Sequence, residues 1–207
     1  RSLSARDVWR FISVSVPREV RRSAAYILAG ALFLFVPMAI TYVAVVSHPE
    51  LERSLNSPVM VDRVLQDAHH DSLGKHEYIS TTDFERPMMA SGIIANNVQV
   101  TYAVFAFGVT AGALTILALV FNGMGLGAGF ALYTNHGVSH LIRDFVIAHG
   151  VLELSAICIA AGGGFLLAMA LLLPGAHTRR EAFVINGRRA IKLITASTIM
   201  LLAAGTI

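Results

Sequence analysis

The chain has little of what holds small secreted or highly polar domains together. It has one cysteine, Cys158, which lies inside an apolar run, so no disulfide framework exists. Only 14% of its 207 residues are charged, where soluble domains carry about 25%. The shortage of charge is local. Residues 24–46 and 87–135 contain no Asp, Glu, Lys or Arg, and in 154–178 His177 is the only titratable basic group. Each run reaches or exceeds the roughly 20 residues that cross a hydrocarbon core as a helix. Unpaired backbone is too costly in lipid for anything but helices or closed barrels, and these runs do not alternate as barrel strands do. The expected fold is all-α: a polytopic membrane helix bundle forming one integral membrane domain over residues 1–207.

A cleaved leader is argued against by position and length. The first apolar run starts only at Ala24, is longer than a signal core, and has no small-residue cleavage pattern before Ser47. The chain opens on Arg1 and ends on the apolar MLLAAGTI, so a segment truncated at both ends is expected. The net charge of +3 does not point to nucleic acid, because the basic residues cluster beside the apolar runs.

That clustering sets an expected topology, since Lys and Arg in short flanking segments favour the cytoplasmic side. Residues 1–23 hold six arginines, residues 175–192 hold five basic residues, and residues 47–91 hold four against eight carboxylates. The N-terminus and the basic loop 175–189 are thus expected in the cytoplasm, and the loop 47–91 outside the inner (cytoplasmic) membrane. Span 1 covers about 24–46. The charge-free run 87–135 has 49 residues. As one helix it would be about 73 Å long at 1.5 Å per residue, so it must fold back. The turn dipeptide Asn122-Gly123 marks the expected break, giving spans near 93–120 and 124–141, with 121–141 as a re-entrant hairpin the alternative. A fourth span covers about 146–173 and a fifth begins near Ala190, about five in all.

Outside the spans, residues 6–20 interleave Trp9, Phe11, Ile12 and Val16 with Arg6, Arg10 and Arg18. This suits an N-terminal amphipathic helix on the inner leaflet, broken at Pro17; the alternative is a frayed terminus. Residues 49–73 place apolar positions near helical spacing around Pro58, predicting two short external helices. His69, His70, His76 and Glu77 lack a ligand spacing and read as a solvated loop.

Glycines recur four residues apart at Gly108/Gly112, Gly123/Gly127 and Gly125/Gly129, with a triplet at 162–164. Small residues let helix backbones approach where lipid supplies no hydrophobic drive. The plain reading is packing within the chain; the alternative is a face for a second copy, making a homo-oligomer. Asn96 and Asn97 sit near the outer start of span 2, as caps or interhelical donors. His136 and His140 could join His149 as weak metal candidates, but no HExxH pattern is present. His149 and Glu153 are one turn apart and share a helix face. A carboxylate there is favoured by the helix dipole and should face the bundle rather than lipid. It is either a structural bond, to His149, an Asn or free backbone N–H groups, or a proton, ion or headgroup site.

These residues carry a resemblance. Asn96-Asn97, Phe121-Asn122-Gly123 followed by Gly127, and above all His149-Gly150-x-x-Glu153-Leu154 resemble the stage II sporulation protein M family of membrane proteins. The likeness extends more loosely to Pro17-Arg18 and the outer segment. Ala148 and Ser155 stand where that family usually carries proline, which marks a divergent member with a less rigid start to span 4. The resemblance implies a membrane subunit that works beside peptidoglycan-degrading partners; some relatives resemble neighbours of MoxR-type ATPase systems. It implies no general activity. The residues themselves offer no nucleophile–base pair, no P-loop and no cofactor motif.

The first expectation is therefore a non-enzymatic membrane scaffold, with the lipid bilayer and other membrane or envelope proteins as partners. The second is a transporter or channel-like protein for a lipid or small solute, using His149, Glu153 and a broken helix at Asn122. The third is an intramembrane hydrolase or metalloprotein.

Overall fold

A computed structural model of the chain describes residues 5–72, 85–145 and 150–205. These residues are all-helical, with no strand among them. Helix α1 (Ala5–Arg10) passes through a π-helical turn (Phe11–Ser15) into α2 (Val16–Arg22). Pro17 does not break this segment as expected. It occupies the first turn of α2, where its missing N–H is tolerated, and the wider π turn just before it makes room for the ring.

Helix α3 (Ala24–Ser47) follows. A 3₁₀ turn (Pro49–Leu51), α4 (Glu52–Leu55) and α5 (Pro58–Ser72) form the connecting segment. Then come α6 (Glu85–Ala106), α7 (Ala113–Asn135), α8 (Ser139–Phe145), α9 (Val151–Leu172) and α10 (Arg179–Ala204). Three of these helices are long and apolar enough to cross a membrane: α3, α7 and α9. At 1.5 Å per residue each is about 33–36 Å long, against a hydrocarbon core of about 30 Å. Helices α6 and α10 are as long but more polar. The basic segment is itself helical, because α10 begins at Arg179 under a capping box in which Thr178 and Glu181 satisfy each other's backbone N–H.

The fold-back in the long uncharged run lies elsewhere than the turn dipeptide suggested. Helix α7 passes straight through Asn122-Gly123. The break is a 3₁₀ turn at Phe107–Thr110, followed by Ala111 and Gly112 at φ 54° and 83°. Gly112 supplies the left-handed backbone that reversal needs. Thr115 Oγ1 donates to the Val104 carbonyl at 2.9 Å, satisfying an acceptor that the helix end leaves open. With 23 residues, α7 is long and apolar enough to cross a membrane, and it runs without reversal from 121 to 135.

The chain divides into two compact units: Arg1–Leu32, Asn96–Leu119 and Leu152–Ile207; and Phe33–Ala95 with Val120–Val151. In the first, α9 is the enclosed element, buried from Glu153 to Ala170 largely through Ala and Gly. Its small residues admit neighbouring backbones. A methyl on Gly162 would meet Ile27 at 2.8 Å, and one on Gly30 would meet the Cys158 carbonyl oxygen at 3.1 Å. Methyls on Gly108 or Gly164 would run into the facing backbone of α9 or α6. Leu166, Leu167, Ala190 and Leu193 form its apolar core.

In the second unit, α7 lies against the C-terminal part of α3. A methyl on Gly123 would overlap the Leu34 carbonyl oxygen, and one on Gly127 that of Met38. Further along, the Tyr42 and Thr134 hydroxyls lie 3.4 Å apart. Val61, Val64, Leu132, Tyr133, Val138 and Leu141 join α5 to α7 and the start of α8.

Candidate functional site

Glu153 lies in the first turn of α9 and is only 3% exposed. Asn97, on α6, donates from Nδ2 to Glu153 Oε2 at 2.5 Å. The N-terminal turn of a helix favours a carboxylate through its dipole and unpaired N–H groups. Asn97 adds a side-chain donor from a second helix. Because α6 starts at Glu85, the two asparagines sit inside that helix and do not cap it. Asn97 turns inward to the acid, while Asn96 is exposed.

Asn97 lies against Glu153, and the tight Gly108–Gly164 approach follows further along both helices. Contacts that advance together along both helices mean that α6 and α9 run in the same direction. By the same reasoning α10 runs against α9, since Asn186 Nδ2 donates to the Leu166 carbonyl at 3.0 Å while Ala190 lies near Gly163.

Gly150 is buried just before α9. His149 lies outside the described residues, so the expected His149–Glu153 pair has no geometry here. Asn122 belongs to the other unit, and its buried Nδ2 has no hydrogen-bond partner among the described residues. Gly112 serves the reversal at the end of α6, and Gly108, Gly123 and Gly127 sit where backbones touch. Gly125, by contrast, has open space where a Cβ would point.

His136 and His140 are each held by a different acid. His136 Nε2 lies 3.2 Å from Glu52 Oε2, and His140 Nε2 lies 3.3 Å from Asp71 Oδ1. Among the described residues no group of three or more His, Cys, Asp or Glu side chains converges as a metal site would require. Glu52 is instead a buried hub. Asn135 Nδ2 donates to its Oε1 at 2.7 Å and reaches the Val45 carbonyl at 3.2 Å. This ties α4 to the end of α7 and the end of α3.

Another buried acid was not visible in the sequence pattern. Glu19, on α2, is 4% exposed. Arg189 Nε donates to its Oε1 at 2.7 Å, Ser23 Oγ donates to the same oxygen at 3.1 Å, and Lys192 Nζ lies 3.8 Å from Oε2. Burial alone would raise this carboxyl's pKa; the hydrogen bonds from Arg189 and Ser23 and the charges of Arg189 and Lys192 outweigh it and hold the group below its ordinary value. The available signal was an acid among arginines with a serine one turn later.

An uncharacterized protein of Methanocaldococcus jannaschii is 34% identical over 90 residues, covering 42% of this chain and 48% of that relative. The chain thus spans about half the length of the curated relative it matches. No solved structure matches. The family model for stage II sporulation protein M matches residues 30–207, which takes in Asn97 and Glu153, the apolar helices α7 and α9, and α3 from Gly30 onward. The chain belongs to the stage II sporulation protein M family.

Proposed function

We propose that the chain is a non-enzymatic integral membrane subunit that positions cell-envelope partners. The observation that carries this reading is the Asn97–Glu153 contact. The acid expected to mark either a strut or a transport site is 3% exposed and bonded across two helices. A transport site needs an acid that opens to a wet path in at least one state. An acid bonded inside tightly crossed helices suits a fixed frame, and the close backbone approach at Gly108 and Gly164 supports the same reading.

The proposed arrangement has five crossings, with α6 and α10 added to the three apolar spans and the N-terminus in the cytoplasm. Parallel α6 and α9 support this, because the chain must return across between them. The arginines before α3 and at the start of α10 supply the charge bias. Partners would meet the subunit through the segment between α3 and α6.

Native mass spectrometry on the full-length protein, gently extracted from its own membrane, tests the proposal. A stoichiometric envelope protein is the expected companion. A retained solute, lipid or metal with no protein partner would overturn it.

A further inference from the structure

The first ten described residues form a helix that the rest of the chain does not support. From Arg6 to Val14 every residue except Phe11 is exposed, Trp9 by 70%. Inward packing begins only at Val16 and continues through Glu19 to Ser23. The helix runs on into α2, but its apolar side stays exposed, so it needs a surface to lie on.

Its composition says which surface. Val8, Phe11 and Ile12 recur at helical spacing and with Trp9 make one apolar side. Arg6 and Arg10, one turn apart, lie on the other side, and both are exposed. Arg18, Arg21 and Arg22 continue the exposed positive charge up to Ser23, where the membrane-length α3 begins. The chain therefore delivers this helix to the water–lipid boundary. A tryptophan with aliphatic neighbours, flanked by arginines, matches acyl chains beneath anionic headgroups. Asp7 is the one acid among residues 5–18, against Arg6, Arg10 and Arg18, so the segment keeps an excess of arginine at the membrane boundary that anionic headgroups would balance.

We infer that residues 5–15 form an anchor for anionic phospholipid, lying in the leaflet at which α3 begins. The Glu19–Arg189 bond fixes the base of this anchor to α10. This inference is independent of the scaffold reading and needs only α3 as a membrane span.

Trp9 is the sole tryptophan, so its fluorescence reports on this helix alone. The test uses the whole chain in nanodiscs of phosphatidylcholine, with and without phosphatidylglycerol. The expected result in phosphatidylglycerol discs is blue-shifted emission, strong quenching by lipids brominated high on the acyl chain, and protection from iodide. Protection should weaken in pure phosphatidylcholine and with added salt. An Arg6→Gln, Arg10→Gln variant should lose the difference between the two lipids. Iodide access equal to that of free tryptophan in both discs would overturn the inference. So would equal protection in both, which removes the anionic preference. Exposure in discs with shielding only in native membranes would also overturn it, because a protein would then cover this face.

Discussion

Arg189 reaches Glu19 across 170 residues of chain, donating from Nε at 2.7 Å. The bond joins α2 to α10, two helices that the sequence presents only as basic flanks of separate spans. Removing one partner of such a buried pair leaves the other without its counter-charge.

Glu19→Gln should therefore loosen α2 from α10 at a cost of about 2 kcal/mol. Hydrogen exchange at the amides of 16–22 is the readout, and exchange there should speed up while α9 stays protected.

The same contact predicts a pH dependence. The folded carboxyl of Glu19 sits below its ordinary value, so the unfolded chain binds more protons in that window and stability rises with pH through it. The stabilisation is complete above the ordinary carboxylate range. It is lost as pH falls through the depressed value of Glu19. Exchange at 16–22 should accelerate on acidification in the wild type and change less in Glu19→Gln.

Glycine substitutions should split by position. Gly108→Ala puts a methyl into the Gly164 backbone, and overpacking of this kind costs about 1–3 kcal/mol. Gly125→Ala meets nothing within 4 Å, and removing a glycine from a helix interior gains up to about 1 kcal/mol. Thermal unfolding in detergent should show Tm falling for the first and holding or rising for the second.

Asn97 and Glu153 should behave as one unit. Asn97→Leu and Glu153→Leu each strand a buried polar group, so the double variant should lose less than the sum, with a coupling of about 0.5–2 kcal/mol. A cycle of unfolding measurements gives that coupling directly. Additive losses would mean that the 2.5 Å contact contributes nothing.

The hub at Glu52 gives a separate check in the other unit. Glu52→Ala removes the acceptor of Asn135 and the partner of His136. Asn135 retains the Val45 carbonyl, so the expected cost is only about 1–2 kcal/mol. Proteolysis within 49–72 should quicken.

The membrane class was legible because lipid leaves its mark on composition. The charge-free run 24–46 and α3 (Ala24–Ser47) nearly coincide. The fold-back was misplaced because Asn-Gly is a turn signal for chains whose turns face water. Gly123 serves close approach to α3 instead, and its helix keeps every backbone bond inside the segment, as lipid requires. The real reversal used Gly112, whose spacing from Gly108 read as a packing pair. Glu153 was legible as an acid that should face the bundle from its place at a span mouth, with His149, an Asn or backbone N–H groups as the expected partners; the spacing did not single out Asn97. Glu19 was not legible, since its partners lie on a helix far along the chain and no local spacing announces them.

The central claim is that Glu153 holds a frame together and does no transport chemistry. The most direct test is whether Glu153→Gln recovers the same envelope protein that the proposed scaffold role predicts for the wild type, from native membranes and at matched amounts of folded protein. Glutamine keeps an oxygen for Asn97 to donate to, so recovery equal to wild type is predicted. A folded Glu153→Gln protein that recovers no partner would contradict the account, because the acid's charge would then do more than hold two helices.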